Sequence, residues 1–394
     1  MYELLASGDV ITIGYDKLIV LNVYNCTQFL ALCSSCRICT TMTQFSRYTM
    51  RKKRPRDYIF TDTIEMEEYC RAHFEDYHSD ANFACNVTQL SAGTLRTSTI
   101  CAPIKDVHLE IFKTNQTLLY EEEANTKSVA FCWIDKKKGQ SHDVSTIISG
   151  HKMQLHSIAG FNRINKTGGN IWDVVGANEH LCCMSLKWEK LQTRIHRLNA
   201  FNAYAKLEEC IGIDSDSHAS KQLKKLFNDH FSNQPAKNSS SSFYDLAIAC
   251  LEDADDDSSF GTARCESIEL IEDLVKLIHE DRSGLPPITL SEITEYLDSQ
   301  KESLNLICKS TFNMGVIELV KRIRLEQARK AYSSPHMPKG LKIFTRQRIA
   351  HYYGFKNWSN FERLYYYSFK ENPLQTIERV SKSVVGIKSL WGGE

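Results

Sequence analysis

Apolar residues along the 394-residue chain follow two different periods, and the change between them divides the molecule. In VHLEIFKT (107–114) and SVAFCWID (128–135) apolar and polar positions alternate, the pattern of half-buried strands, and Asn and Gly turn formers separate such stretches. Helices are predicted on either side of these strands, over IEMEEYCRAHF (64–74) and WEKLQTRIHRLNAFNAYAKLEE (188–209). From about residue 262 the period is helical almost throughout. Between the two regimes, NQPAKNSSSS (233–242), a short apolar turn and LEDADDDSS (251–259) combine turn formers with like charges and offer little to bury. Residues 236–261 are therefore expected to form an acidic linker. The pattern predicts an α+β chain: a cysteine-rich extension (1–54), a β-rich domain with flanking helices that can close as a small barrel (55–235), the linker, an all-α domain (262–376) and a tail (377–394). No internal repeat of solenoid length is present.

Two segments of the all-α region share one plan. ITLSEITEYLDSQKESLNLICK (288–309) has a Thr/Ser start, apolar spacing at Ile293 and Leu297, a polar break at Asp298–Gln300, and a second helix carrying Leu304 and Ile307. FTRQRIAHYYGFKNWSNFERLYY (344–366) repeats it, with Ile349 and Tyr353, a turn at Gly354, then Phe361, Leu364 and Tyr365. Glycine suits that turn because a residue there can need a positive φ. Each segment is a candidate helix-turn-helix, in which the second helix enters the major groove of DNA. Between them, GVIELVKRIRLEQARKAY (315–332) places Val316, Leu319, Val320, Ile323 and Ala328 at helical spacing, while Lys321, Arg322, Arg324, Arg329 and Lys330 occupy other faces. A helix there would hold the two units about one turn of duplex apart.

These segments resemble the C-terminal domain of AraC/XylS transcription regulators. KRIRLEQAR (321–329) stands for that family's linker helix, and YGFKNWSNFERLYYYSFKENP (353–373) for its second helix-turn-helix and closing proline. The resemblance implies a first recognition helix from Lys301 to Lys309 with Lys301, Glu302 and Asn305 outward. It implies a second from Trp358 to about Tyr367 with Asn357, Trp358, Asn360 and Arg363 outward. The chain departs from the family at Cys308, where a core Phe is usual, at Tyr366, where a basic residue is common, and at Lys370, where glycine is common. The implied partners are double-stranded promoter DNA, RNA polymerase and a small-molecule effector of the N-terminal domain. The segment order of that domain is similar to the ethanolamine-utilisation regulator of the same family. Leu191, Ile195, Leu198 and Phe201 form a stripe that would either pair two copies of the chain or pack on the domain's own strands.

Charge changes this picture only in its distribution. Lys and Arg number 48, as do Asp and Glu, yet Lys321–Glu394 carries 15 basic against 5 acidic residues and Phe243–Asp273 carries 1 against 10. A basic end suits a polyanionic partner. The apolar run from Leu18 to Leu32 is broken by Asn22, Asn25 and Gln28 and is too short and polar to span a bilayer. With no secretory signal and 14 scattered cysteines, a cytoplasmic protein with reduced thiols is expected.

Candidate chemistry is sparse. Cys26, Cys33, Cys36 and Cys39 lie within 14 positions, a spacing that can hold zinc or an iron–sulfur cluster, although zinc-finger ligand pairs are usually set further apart. They raise an alternative function, a DNA-alkylation responder with a methyl-accepting cysteine, for which the flanking residues of that acceptor site are absent. His151 and His156, five apart, would fall on opposite faces of a strand, with His108 and His180 elsewhere, and no carboxylate is placed to join them. Neither a metal nor a cofactor is expected. Trp133, Trp172 and Phe161 are candidates for a pocket lining or for core. No nucleophile triad, phosphate loop or paired-carboxylate site stands out, so the chain does not read as an enzyme.

Overall fold

The structure is a computed structural model describing residues 3–6, 9–12, 55–75, 85–123, 127–137, 145–161, 170–210, 212–214, 216–232, 240–254, 266–279, 288–333 and 345–379. It has two compact units, residues 1–52 and 53–394. In the first, β1 (Glu3–Ala6) and β2 (Asp9–Thr12) pair as an antiparallel hairpin, Glu3 opposite Thr12 and Ala6 opposite Asp9. The cysteines of its CSSCRIC segment lie outside the described residues, as do residues 380–394.

The second unit stacks four layers, each sheet burying both faces. One sheet has seven antiparallel strands in the order β14-β11-β8-β13-β6-β5-β3, the other five in the order β10-β9-β12-β7-β4. The strands are β3 (Arg56–Phe60), β4 (Cys85–Gln89), β5 (Thr97–Ile104), β6 (Val107–Thr114), β7 (Leu118–Glu123), β8 (Ser128–Lys137), β9 (Ile147–Ile148), β10 (His151–Lys152), β11 (Ser157–Ala159), β12 (Asn170–Val175), β13 (Glu179–Lys187) and β14 (Gly212–Asp214). No strand is shared between the sheets, so they form two separate layers and not the closed barrel open to this pattern. Val87, Leu118 and Val175 of the smaller sheet meet Phe112, Ile134 and Leu181 of the larger one, with Met66 of α1 (Thr63–Glu75) closing one edge.

On the far side of the seven-stranded sheet, Leu109, Val129, Phe131, Trp133 and Met184 pack against α2 (Trp188–Leu198), α3 (Phe201–Glu209), α4 (His218–Phe231) and α5 (Ser240–Asp253). Trp133 and Phe161 are core, the first edge-on to Phe227 and the second beside Phe131. Strands expected to be half-buried are thus covered on both faces, and in β8 the residues from Val129 to Ile134 are buried or nearly so.

Two further expectations are corrected here. Helix α5 occupies the expected acidic linker: Phe243, Tyr244, Ala247, Ile248 and Leu251 are buried in this core. The Tyr244 hydroxyl donates to the Asp106 carbonyl at 2.9 Å, and Arg194 holds Asp245 at 2.6 Å. Amphipathic spacing outweighed the polar serine run that begins the helix. The predicted helix over 188–209 is two helices, broken where Asn199 turns left-handed at φ 53°. Leu191 and Ile195 are buried, whereas Leu198 and Phe201 on either side of the break are 55% and 66% exposed.

The far side of the five-stranded sheet carries the helical domain: α6 (Glu266–His279), α7 (Leu290–Tyr296), α8 (Lys301–Phe312), α9 (Val316–Ser333), α10 (Arg346–Tyr352) and α11 (Trp358–Phe369), followed by a helical turn over 373–379. Leu119, Trp172 and Val174 join Leu274, Ile278, Leu304, Phe312, Leu319 and Ile323 in one apolar cluster. Trp172 sits 5.8 Å from Phe312, ring centre to ring centre, so it is core at this junction. Among the described residues no helix is long and apolar enough to cross a membrane.

Candidate nucleic-acid interface and sensor pocket

Helices α7 and α8 are the first pair joined by a short turn. Thr289 caps α7 in a capping box, its hydroxyl accepting from the Glu292 amide at 3.3 Å while its own amide donates to the Glu292 carboxylate at 2.6 Å. Asp298 makes the turn at φ 43°. On α8, Leu304, Cys308 and Phe312 repeat every fourth residue and point into the core, Cys308 filling the place of the expected aromatic. Lys301, Glu302, Leu306 and Lys309 are exposed, Leu306 by 67%. Asn305 lies half-buried, its amide over Gly315: a Cβ at 315 would come within 2.3 Å of Asn305 Oδ1, so only glycine allows this approach.

The second unit is α10 and α11. Thr345 caps α10 through the Arg348 amide, and Gly354 turns the chain at φ 90°, the positive value expected of it. Phe361, Tyr365 and Phe369 form the buried stripe of α11 and pack with Tyr332 of α9. Asn357 is exposed, but its side-chain oxygen is the N-cap, accepting from the Asn360 amide at 2.9 Å. Trp358 is half-buried and stacks on Phe361. Asn360 and Arg363 are exposed and joined at 3.2 Å; Tyr366 and Tyr367 extend that surface, 57% and 56% exposed.

Of the residues expected to face outward, Lys301, Glu302, Lys309, Asn360 and Arg363 share the two exposed helix faces; Asn357 is also exposed and caps α11, while Asn305 and Trp358 are half-buried, beside Gly315 and on Phe361. Leu306 and Tyr367, not singled out in the sequence, extend these exposed faces beside Tyr366, noted there as a departure from a basic residue. Their signal was present: each lies off the buried stripe of its own helix.

Between the two units runs α9, 18 residues and about 27 Å long. Most of its basic residues are engaged within the protein. Arg322 donates to Glu318 and to the Ser368 hydroxyl at 2.7 Å, Arg324 to the Ile288 carbonyl, and Lys330 pairs with Glu67 of α1. Arg329 is the centre of a buried charge cluster that ties the helical domain to the β domain. It lies 3.0 Å from Glu371, 3.6 Å from Asp62 and 3.7 Å from Glu326, over the face of Phe369. Glu326, fully buried, accepts from the Thr63 hydroxyl at 2.6 Å and the Gln89 amide at 3.2 Å. Arg379, expected in the tail, closes the cluster on Asp62 and Glu371. Burial opposes a charge on Asp62, but Arg329 and Arg379 outweigh it and hold its carboxyl below the usual range; burial wins at Glu326, whose carboxyl is raised. Nearby, His279 of α6 donates from Nδ1 to the Val275 carbonyl at 3.0 Å and meets the Thr88 hydroxyl of β4 at 3.4 Å. Glu121 lies 3.3 Å from the same Nδ1 and favours a charged ring. Burial first and the Lys330 charge second oppose a charged ring more than the Val275 hydrogen bond supports it, and the imidazole is pushed down to about 3.

Between the sheets lies a cavity of about 130 Å³, lined by Tyr69, His108, Glu110, Tyr120, Glu122 and Cys183 among others. Its floor includes one row of the larger sheet, Glu110 opposite Cys183 and Cys183 opposite Cys132, which Cys101, opposite Glu110, continues beyond the lining. Two of these thiols, Cys132 and Cys183, stand 3.0 Å apart. The aromatic residues expected as candidate lining are not among the residues around it.

No family model and no curated protein matches the chain. Several solved structures are similar to the chain. The AraC-like transcriptional activator CuxR is 12% identical over 69% of this chain and 95% of its own, with a TM-score of 0.32. ToxT from Vibrio cholerae O395 is 14% identical over 76% of this chain and 99% of its own, with a TM-score of 0.25, and ToxT bound to (E)-4-(8-methylnaphthalen-1-yl)but-3-enoic acid is 13% identical, with a TM-score of 0.24.

Proposed function

We propose that the chain is a sequence-specific DNA-binding transcription regulator, in which α8 and α11 read two successive major-groove segments and the β domain senses a small effector. The observation that carries this reading is the pair of capped helix-turn-helix units at the ends of α9, each presenting an exposed polar face on its second helix. Arg363 can bond guanine bidentately, Asn360 can bond adenine, and Lys301 and Lys309 are suited to phosphates, which set affinity without reading sequence. Leu306 supplies an apolar contact for a thymine methyl. The shared apolar cluster and the charge cluster around Arg329 give the β domain a physical hold on the reading domain. A cavity of about 130 Å³ is below the few hundred expected for a drug-sized ligand and suits a small molecule or ion. A regulator of this kind acts on RNA polymerase, and the exposed Leu198 and Phe201 are the part of the α2–α3 stripe left for a second copy.

The test is selection of duplexes from a random pool by the full-length chain. A bipartite motif with half-sites about one helical turn apart is expected. Binding without sequence enrichment would contradict the reading.

A further inference from the structure

We propose that Cys101, His108 and Glu110 form a binding site for a thiophilic divalent cation, with zinc as the reference ion. Sulfur, imidazole nitrogen and carboxylate oxygen are the three protein ligands that zinc takes, and here one β-hairpin supplies all of them. The two-residue turn Lys105–Asp106, with Asp106 at φ 65°, sets a register in which Cys101 stands opposite Glu110 and Pro103 opposite His108. Residues two apart on a strand share a face, so the three side chains leave the sheet on one side, where the cavity lies.

One ligand atom from each residue lies within 4.8 Å of the other two, and His108 Nε2 is 3.7 Å from Glu110 Oε2. Ligand atoms bound to tetrahedral zinc at about 2.0–2.3 Å sit about 3.3–3.8 Å from one another. Side-chain adjustments of about 1 Å therefore close the shell. A thiolate and a carboxylate together balance the charge of a divalent ion, which removes the cost of burying it as a net charge. Cys101 and His108, 1% and 6% exposed, shield the ion from water, and the adjoining cavity leaves a fourth position for a water or an exchangeable ligand. The Tyr69 hydroxyl, 2.6 Å from Cys101 Sγ, reaches in from α1 as a partner to the bound sulfur. Loading releases the thiol proton. His108 and Glu110 line the cavity assigned above to the effector, but none of the three ligands lies on α8 or α11, so metal binding is tested independently of DNA binding.

The test uses the full-length chain with Cys26, Cys33, Cys36 and Cys39 replaced by serine, so that the N-terminal thiols cannot contribute. Cobalt is added as a spectroscopic probe and then displaced by zinc. One equivalent of cobalt is expected to give a thiolate-to-metal charge-transfer band that Cys101→Ser abolishes and His108→Ala weakens at least about tenfold in affinity. Cys132→Ser should leave the band unchanged, and circular dichroism reports whether each variant keeps its fold. X-ray absorption of the zinc-loaded parent chain, which needs no further variant, should show one sulfur at about 2.3 Å and the remaining ligands nitrogen or oxygen. No cobalt band, a band that survives Cys101→Ser, or two or more sulfurs around zinc would overturn the proposal.

Discussion

Lys370 ends α11 with its backbone at φ 57°, a left-handed conformation that costs a side chain more than it costs glycine. Its amide still closes the helix on the Tyr366 carbonyl, and its ammonium lies 5.1 Å from the Tyr367 ring. The backbone strain outweighs this exposed cation–π contact, so Lys370→Gly is expected to stabilise the protein by a few tenths to about 1 kcal/mol. A thermal melt checks the sign. His279 carries the clearest pH dependence. With a folded value of about 3 against an ordinary 6.5, the unfolded chain holds a proton between those limits that the folded chain does not. Stability must therefore fall as pH drops below about 6.5, by at most about 1.4 kcal/mol per unit from this one group. Melting temperatures of the parent and His279→Gln should diverge between pH 7.5 and 5, the parent losing more. Parallel curves would exclude His279 as the titrating group.

At the scale of the element, the two pairs of turn-linked helices were legible because buried stripes, caps and the glycine turn are all local signals. Helix α5 was not, because its first residues are serines and its apolar face is meaningful only against the sheet it covers. The break at Asn199 was hidden by an amphipathic pattern that runs through it. The Cys101–His108–Glu110 cluster depends on strand register, which a Lys–Asp turn does not announce in the way Asn–Gly does. The roles of the basic residues on α9 were equally invisible, since only the fold brings Asp62, Glu326 and Glu371 to Arg329. Removing that guanidinium leaves the carboxylates of Asp62 and Glu371 with only the half-buried Arg379 and takes the nearest guanidinium from the buried Glu326. Arg329→Met is expected to cost about 3–5 kcal/mol, measurable by denaturant unfolding, whereas Lys321→Met on the exposed face of the same helix should cost little.

At the scale of the whole molecule, four layers place the cavity between two sheets and the helical region against the outer face of the smaller sheet. The same five-stranded sheet thus touches both. The division into a β-rich domain and a helical domain was readable from the two periods. Their fusion through Trp172 and the Arg329 cluster was not, because neither stripe nor charge pattern reveals which outer face a second domain will cover. The central claim is that α8 and α11 read DNA. Its most direct measurement compares the full-length chain and Arg363→Ala on a selected duplex and on the same duplex with single base-pair changes, at two salt concentrations. The account predicts that the variant loses about 1–3 kcal/mol of discrimination at one position, while the salt dependence falls little. A variant that keeps every base preference, or loses affinity uniformly across sequences, would contradict it.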